Sequence, residues 1–413
     1  MGLSTVTAAR IFDGQSEGKK GEEHALAFED FDHLALIKTY NTNAQVPDSA
    51  GTATAILSGY KTNIGAVNVR PSPNPELMVK ESCIDKASPP LIAELAKAHN
   101  MKMGTVTTTR ITHATPAATY GHAANRDWEA DKDIIDDGAD KAGCTSLAAQ
   151  LIDSDLDLAL GGGAKEFTGA QIETWKNRGH IYVQTANELK ASPKDAPILG
   201  LFNRSHMSFE ADRDGTQEPS LAEMTNFAID RLSNENGFVL MVEAGRVDHA
   251  HHGINAYRAL RDMQALNEAV KTAKAKTGKD TLILVTADHS HVFTMGGYAA
   301  RGNPILGLVK NPAEVSRMLG EEETTYAKDK DGKPYTTLGY YNGPNTRSAD
   351  SKALTSNAVQ APNFRQQTAV NLGSETHSGE DVPLYARGPG AQNFKGVMEQ
   401  DEIGRILHEL IGE

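Results

Sequence analysis

Short apolar segments alternate with longer helical patterns along most of this 413-residue chain, and this alternation constrains the fold more than any other feature. Several of the segments are apolar on both faces, as strands are when helices cover both sides of a parallel sheet. The predicted strands are residues 33–38, 103–107, 156–160, 238–242, 281–285 and 382–386. The predicted helices between them are residues 90–98, 145–152, 221–232, 256–274 and 402–411. The pattern therefore indicates an α/β fold with a mostly parallel sheet between layers of helices.

Two regions interrupt this alternation. Residues 164–196 are polar and only weakly periodic, and residues 300–370 are rich in Gly, Asn, Ser and Pro. Long irregular segments inside a compact domain are usually functional covers or insertions. We therefore expect both regions to be loops added to the α/β framework.

The charge of the chain limits its partners. It has 41 basic and 54 acidic residues, a formal net charge of −13 and an isoelectric point near 5.6. Because phosphate backbones attract basic surfaces, this balance argues against nucleic acid as the main partner. No segment approaches the roughly 18–20 apolar residues of a membrane helix, so no transmembrane segment is predicted.

Acidic and imidazole side chains follow two of the predicted strands. In residues 241–252, Asp248 and His252 stand four apart, which places them on one side of a helix, where they could share a Zn²⁺ ion. The alternative for this segment is a solvated, histidine-rich loop. Asp288 and His289 repeat the arrangement after a second strand, and such a repetition is hard to explain by chance. His377, which alone would be an ordinary loop histidine, thereby becomes a further candidate ligand.

A second motif contains a candidate nucleophile. Asp48 and Ser49 precede a run of small residues, a pattern typical of a helix start. One interpretation is an N-cap, a common use of Asp and Ser. The other makes Ser49 a nucleophile at the positive end of the helix, where backbone N–H groups also bind anions. The segment lacks the G-x-S-x-G elbow and gives no support to a Ser-His-Asp triad, but metal coordination could activate the hydroxyl.

Residues 109–126 supply further polar candidates. A threonine hydroxyl of residues 109–116 and the imidazole of His113 could bind a harder ion such as Mg²⁺, directly or through water. Arg126 could hold a phosphate through two parallel hydrogen bonds. Alone, either stretch is more often a polar loop. Together with the strand-end residues, they indicate a metal-assisted hydrolase that has a serine nucleophile and acts on an oxyanionic substrate.

Five segments, taken in order, resemble the motifs of alkaline phosphatases. They are residues 39–54, 107–126, 243–252, 286–294 and 375–377. The matches extend over nearly the whole chain. The resemblance implies a three-layer α/β/α sandwich, a single alkaline-phosphatase-like domain over residues 1–413, a crown-type insertion at residues 300–370, and association as a homodimer.

The resemblance also implies a role for each candidate residue. Ser49 would attack phosphorus and form a phosphoseryl intermediate, and Arg126 would bind the non-bridging phosphate oxygens. Two zinc ions and one magnesium ion would be the cofactors. Their implied ligands are Asp248, His252 and His377 for the first zinc, Asp288 and His289 beside Ser49 for the second, and Thr115 and Glu243 for the magnesium. His113 and His249 stand where some bacterial members have Asp and Lys. This makes the site more like that of animal-type enzymes and leaves open which ion occupies the third metal site.

Two departures from the family pattern affect these expectations. The family begins with a strand that ends in Gly-Asp-Gly-Met-Gly, whose aspartate bridges the second zinc and the magnesium. This sequence opens on Met1-Gly2, the last two letters of that motif, so we expect it to lack the first strand, the aspartate and an export signal. The animal enzymes' calcium site is also altered, because Asn203 and Glu218 replace its Glu and Asp, and no calcium is predicted.

Cys83 and Cys144 are the only two cysteines. Composition allows either two buried thiols or one disulfide, which would imply an oxidising compartment. Both positions match a disulfide of animal-type members, so the resemblance implies the bridge and a periplasmic or secreted location.

The expected function is the hydrolysis of small phosphate monoesters with broad specificity. One alternative is a phosphodiesterase or sulfatase of the same superfamily, although Ser49 disfavours both, because sulfatases use a modified cysteine and the diesterases commonly a threonine. The other alternative is a metal- or phosphate-binding protein with impaired catalysis, because the bridging aspartate is absent from the sequence.

Overall fold

A computed structural model describes residues 1–85, 89–320, 326–348 and 350–412. Its helices are α1 (Leu3–Ser16), α2 (Ser49–Ser58), α3 (Pro75–Lys80), α4 (Ile92–Ala98), α5 (Ala114–Ala117), α6 (Asp131–Asp136), α7 (Leu147–Asp153), α8 (Gly169–Asn177), α9 (Ala186–Ala191), α10 (Leu221–Leu232), α11 (Arg246–His252), α12 (Ala256–Lys276), α13 (Ala313–Leu319), α14 (Ser356–Val359) and α15 (Gln400–Gly412). Its strands are β1 (His33–Lys38), β2 (Lys102–Arg110), β3 (Leu158–Gly162), β4 (Ile181–Val183), β5 (Ile198–Leu201), β6 (Phe238–Glu243), β7 (Ile283–Val285), β8 (Ser290–His291), β9 (Phe293–Met295), β10 (Leu338–Gly343), β11 (Gln367–Asn371), β12 (His377–Ser378), β13 (Val382–Arg387) and β14 (Gly396–Glu399).

The main strands form two sheets. The larger has the order β4-β5-β3-β2-β6, and all of its strands are parallel. The smaller has the order β14-β1-β13-β7, in which β1 is parallel to β14 while β13 is antiparallel to both of its neighbours. Each sheet ends on one of the strands that lead into the acid-and-imidazole segments, β6 in the larger sheet and β7 in the smaller. The predicted α/β class and mostly parallel sheet are thus confirmed.

Helices cover both faces of the larger sheet. On one face of β2, Met103 packs in a core cluster with Ala96 of α4 and Leu151 of α7. On the other face, Val106 packs with Leu232 of α10 and with further apolar residues of α12. β2 is thus buried on both faces, as expected for a parallel strand covered by helices, although it also contains the buried threonines Thr105, Thr107 and Thr109. Each fully buried Leu or Met contributes about 1.5–3 kcal/mol of apolar burial, so these layers hold the strand ends in fixed positions.

Most predicted elements lie where the periodicity placed them. The strand predicted at residues 33–38 and the helix predicted at 221–232 have the observed bounds of β1 and α10. The strand predicted at 103–107 lies inside β2, which extends to Arg110. Boundary differences of this size are expected, because the ends of an element have few neighbours that pack against it.

The prediction of a loop over residues 164–196 was wrong. This region contains α8, β4 and α9, and β4 adds a parallel edge strand to the larger sheet. Both helices begin with a capping box, formed by Thr168 with Gln171 and by Thr185 with Glu188. Capping boxes satisfy the first free N–H groups of a helix. The helices are too short and too exposed for the 3.6-residue period to be visible in the sequence.

The segment at residues 300–370 contains short elements joined by irregular chain. Within its described part, α13 and α14 flank β10, which pairs with β9 and β11 in a separate three-stranded sheet. Residues 321–325 and 349 lie outside the described residues. The crown-type role of this segment stays a prediction.

A disulfide joins Cys83 to Cys144, as the resemblance implied. The bridge ties the turn after α3 to the segment that leads into α7, across 61 residues of sequence. Among the described helices, none has the length and apolar character needed to cross a bilayer.

Candidate active site

The sheets bring the predicted site residues together from distant parts of the chain. Glu243 ends β6, and α11 begins three residues later with Asp248 and His252 on it. Asp288 and His289 follow β7, and β8 then pairs antiparallel with β12, with His291 opposite His377. These strand and loop ends therefore converge on one edge of the fold, as expected for open α/β sheets.

Asp248, His252 and His377 form the first cluster. The Nε2 atoms of His252 and His377 lie 3.5 and 3.4 Å from Oδ1 of Asp248 and 3.0 Å from each other. Their Nδ1 atoms each face a backbone carbonyl, that of Glu375 at 2.8 Å for His252 and that of Pro47 at 2.7 Å for His377. A donated Nδ1–H leaves Nε2 as an electron-pair donor, so the three side chains fit one metal ion such as Zn²⁺.

The charges of the first cluster favour an ionised carboxylate. Burial opposes the ionisation of Asp248, but the neighbouring His291, His377 and His252 outweigh burial and hold the pKa of this carboxyl well below its usual range. Burial lowers the pKa of His377, while Asp248 raises it, with a net rise. A buried carboxylate surrounded by imidazoles is the electrostatic environment that a divalent cation prefers.

Asp288 and His289 form the second cluster, next to Ser49. Nε2 of His289 lies 3.3 Å from Oδ2 of Asp288 and 2.9 Å from the hydroxyl oxygen of Ser49. The hydroxyl of Thr52 donates to Oδ2 of Asp288 at 3.1 Å. Burial lowers the pKa of His289 to about 4, so its imidazole is neutral at physiological pH. The rings of His289 and His377 stack with their centroids 3.6 Å apart, which makes the two clusters neighbours.

Ser49 is held at the amino terminus of α2. Asp48 is the N-cap of this helix, because its side chain accepts a hydrogen bond from the backbone N–H of Gly51, and Ser49 is the first helical residue. Ser49 is buried and only 7% exposed. Its hydroxyl therefore lies at the positive end of a helix dipole, where a phosphate oxyanion is stabilised.

Arg126 reaches the same place from a loop. Its Nη1 donates to Oδ2 of Asp48 at 2.9 Å, and its Nη2 lies 3.2 Å from Nε2 of His113. The backbone N–H of Arg126 donates to the carbonyl of Gly65. Asp48 thus both caps the helix that begins at Ser49 and holds the guanidinium of Arg126.

Glu243 lies among hydroxyl groups. Thr107, Thr109 and Thr115 all donate hydrogen bonds to its carboxylate, and burial raises the pKa of Glu243 to about 7. The cluster of carboxylate and hydroxyl oxygens fits a hard ion such as Mg²⁺. The structure thus brings together the predicted pair Thr115 and Glu243, and adds two threonines to it.

His113 and His249 lie in a separate group of rings. Their centroids are 5.5 Å apart, and His206 lies 4.2 Å from His249. Burial lowers the pKa of His113 well below its usual range and that of His249 to about 4, so both are neutral. Nδ1 of His249 contacts Arg246.

Sequence reasoning missed several side chains of the site, namely Thr107, His206, His291 and Glu375. His291 carried a signal, because it follows His289 by two residues after a predicted strand. Glu375 stands two residues before His377. His206 had no motif around it. At the altered calcium positions, Asn203 donates to Glu218 at 2.6 Å.

Comparisons with known proteins identify the family to which the chain belongs. The model of the alkaline phosphatase family matches residues 1–412. The chain is 42% identical to the tissue-nonspecific alkaline phosphatase of Gallus gallus, over 98% of this chain and 82% of that protein. It is 38% identical to the same isozyme of Homo sapiens, over 98% of this chain and 81% of that protein.

A solved structure shows the same fold. It is a variant of the alkaline phosphatase from the Antarctic bacterium TAB5, with magnesium bound in a site named M3. The likeness has a TM-score of 0.68 at 24% identity and covers 100% of this chain and 95% of that one.

Proposed function

Because the chain belongs to the alkaline phosphatase family and is a phosphoric monoester hydrolase, we propose that Ser49 is its nucleophile and that Arg126 binds the phosphate group. The observation that carries this assignment is the position of the Ser49 hydroxyl. It lies 2.9 Å from Nε2 of His289, at the amino end of α2. The guanidinium of Arg126 is fixed on the adjacent N-cap residue, Asp48.

Metal ions are the cofactors of this chemistry, and we propose two zinc ions and one magnesium ion. Asp248, His252 and His377 would hold the first zinc, and Asp288 and His289 would hold the second beside Ser49. The magnesium would be held by Thr115 and Glu243, with His113 and His249 nearby. Metal ions bound there supply Lewis-acid stabilisation of the attacking and leaving oxygens and make water a better nucleophile.

The protein's own groups then direct an in-line displacement. Oγ of Ser49 attacks phosphorus as the bond from phosphorus to the leaving-group oxygen breaks. The hydroxyl proton of Ser49 passes to solvent, and the departing oxygen takes up a proton from solvent, so that an alcohol leaves. Arg126 and the N-terminus of α2 stabilise charge on the non-bridging oxygens. Water then attacks the phosphoserine, which releases inorganic phosphate and restores the Ser49 hydroxyl.

A Ser49→Ala variant tests the nucleophile. We expect turnover of p-nitrophenyl phosphate to fall by several orders of magnitude, because a covalent step is removed. The wild type, quenched in acid during turnover, should carry one phosphoryl group on the peptide that contains Ser49, as measured by mass spectrometry. A loss of less than tenfold, or a phosphoryl group on another residue, would contradict the assignment.

Substrate class is tested separately. The wild type should hydrolyse p-nitrophenyl phosphate faster than bis(p-nitrophenyl) phosphate, because a monoester has three charged non-bridging oxygens, whereas the second ester group of a diester replaces one of them with a neutral, bulkier group. Faster turnover of the diester would instead support the phosphodiesterase alternative.

We propose that the protein works outside the cytoplasm, in the periplasm or as a secreted enzyme. The Cys83–Cys144 disulfide supports this location, because disulfides persist in oxidising compartments. Protein isolated from its native source under non-reducing conditions should show no free thiol. Two free thiols per chain would contradict the proposal.

We also propose that two copies associate as a homodimer and that residues 300–370 contribute to the contact as a crown-type insertion. The three-stranded sheet of β9, β10 and β11 exposes Met295 and Tyr341, the latter at 61%. Sedimentation should give the mass of two chains for the wild type and of one for Tyr341→Asp. Ile135→Asp is the matched control, because Ile135 is equally exposed on α6. A monomeric wild type would contradict the proposal.

A further inference from the structure

Glu375 is a buried carboxyl group that the chemistry above does not use. Its side chain is 0% exposed, although it lies in an irregular segment just before β12. A carboxyl group in such a place must be compensated by hydrogen bonds, because an isolated buried charge is very unfavourable. Its partners therefore show what the group is for.

Those partners come from two segments of the chain, residues 291–292 and α11. Oε1 accepts from the backbone N–H of Val292 at 2.9 Å, and Oε2 lies 2.8 Å from Nδ1 of His291. Nδ1 of His252 lies 3.4 Å from Oε2 and donates to the backbone carbonyl of Glu375 at 2.8 Å. One residue thus fixes the Nδ1 sides of two imidazoles.

The opposite sides of both rings face Asp248. Nε2 of His291 lies 2.8 Å from Oδ1 of Asp248, and Nε2 of His252 lies 3.5 Å from the same oxygen. A ring held at Nδ1 has its Nε2 direction fixed, so the position of Glu375 sets where both rings meet the carboxylate. Partners that orient metal ligands in this way commonly change metal affinity by about 10–100-fold when removed.

We propose that Glu375 is a positioning residue for the first zinc site, acting through His252 and through the contact of His291 with Asp248. The inference rests on the proposed assignment of Asp248, His252 and His377 to that zinc. It assigns Glu375 no contact with substrate. Its effect is on the geometry and retention of one metal ion.

Zinc retention in Glu375→Ala tests the proposal. We expect the variant to lose one zinc to a chelator at least tenfold faster than the wild type, while the second zinc is retained. With Co²⁺ in place of zinc, the visible absorption of the first site should change, because its ligand geometry is altered. Loss rates within twofold of the wild type together with an unchanged Co²⁺ spectrum would overturn the proposal.

Two further variants separate positioning from general destabilisation. Glu375→Gln keeps an acceptor for Val292 and a polar partner for His291, so it should recover most of the zinc retention. Asp13→Ala removes another buried carboxylate, which lies away from the site and whose Oδ2 is 3.0 Å from Nε2 of His24. This variant should leave the rate of zinc loss unchanged. Glutamine behaving like alanine, or Asp13→Ala losing zinc equally fast, would refute the positioning role.

The wild type itself distinguishes this inference from the assignment on which it rests. If purified wild-type protein reconstituted with Zn²⁺ binds fewer than two ions per chain, the proposed metal assignment fails, and the role of Glu375 fails with it. If the wild type binds two ions and Glu375→Ala loses zinc no faster than the wild type, the assignment stands and the positioning role alone is refuted.

Discussion

Asp48 performs two tasks that one substitution can separate. One carboxylate oxygen accepts from the N–H of Gly51 and from the side chain of Asn41, while the other accepts from Nη1 of Arg126 at 2.9 Å. Asp48→Asn keeps the cap, because Asn and Asp are equally good N-cap residues. Its amide NH₂ group, however, then faces the guanidinium as a second donor. The variant should therefore release Arg126 and leave α2 in place.

The size of the effect follows from that contact. A hydrogen bond to a charged group contributes about 1.5–3 kcal/mol when both partners are shielded from water. The side chains of Arg126 and Asp48 are 21% and 12% exposed, so we take the lower end of this range. About 1.4 kcal/mol corresponds to a tenfold weaker interaction. The affinity for inorganic phosphate, which Arg126 would bind, should thus fall by about tenfold in Asp48→Asn.

The assay is competitive inhibition by inorganic phosphate, measured with wild type and variants at equal metal content. The inhibition constant should rise about tenfold in Asp48→Asn, with little change in melting temperature. Asp48→Ala should show the same rise and a lower melting temperature, because it also removes the cap, at about 1 kcal/mol. An inhibition constant in Asp48→Asn within twofold of the wild type would refute the role given to the Asp48–Arg126 contact.

Two further predictions concern stability away from the site. Burial raises the pKa of Asp262 to about 8. Between about pH 4 and pH 8 the folded protein therefore holds a proton on Asp262 that the unfolded chain has released. Over this pH range the free energy of unfolding falls by up to about 1.4 kcal/mol per pH unit. Asp262→Asn keeps an acceptor for the N–H of Glu210. In denaturant unfolding it should become progressively more stable relative to wild type from pH 5 to pH 8. A stability difference that does not change with pH would contradict this reasoning. Replacing both Cys83 and Cys144 by Ser opens a loop of 61 residues and should lower the free energy of unfolding of the metal-free protein by about 4 kcal/mol. A decrease of less than about 1 kcal/mol would show that the disulfide does not appreciably constrain the unfolded chain.

The candidate residues that the sequence placed after a strand lie close together in the structure. Asp288 and His289 lie within four residues of the end of β7, whereas Asp248 and His252 lie on α11, five and nine residues after the end of β6. β6 and β7 belong to different sheets, so the local pattern of each segment predicted its own acid and imidazole residues, and only the folded structure shows that the two segments meet. The same reasoning explains why β1 and α10 were predicted with correct bounds, since both depend only on local periodicity.

The parts that could not be predicted depend on contacts between segments far apart in the chain. His377 was a candidate ligand through the other clusters and the family resemblance, but its position beside Asp248 depends on the pairing of β12 with β8. Each of these strands has only two residues, too few for a period to show. Glu375 reaches His291 across 84 residues, and the backbone carbonyl of Pro47 orients His377 across 330 residues. A backbone carbonyl is present at every position, so no residue type marks the one that fixes an imidazole. Sequence motifs can therefore indicate the candidate ligands of such a site, whereas the groups that orient those ligands can be identified only from the folded structure.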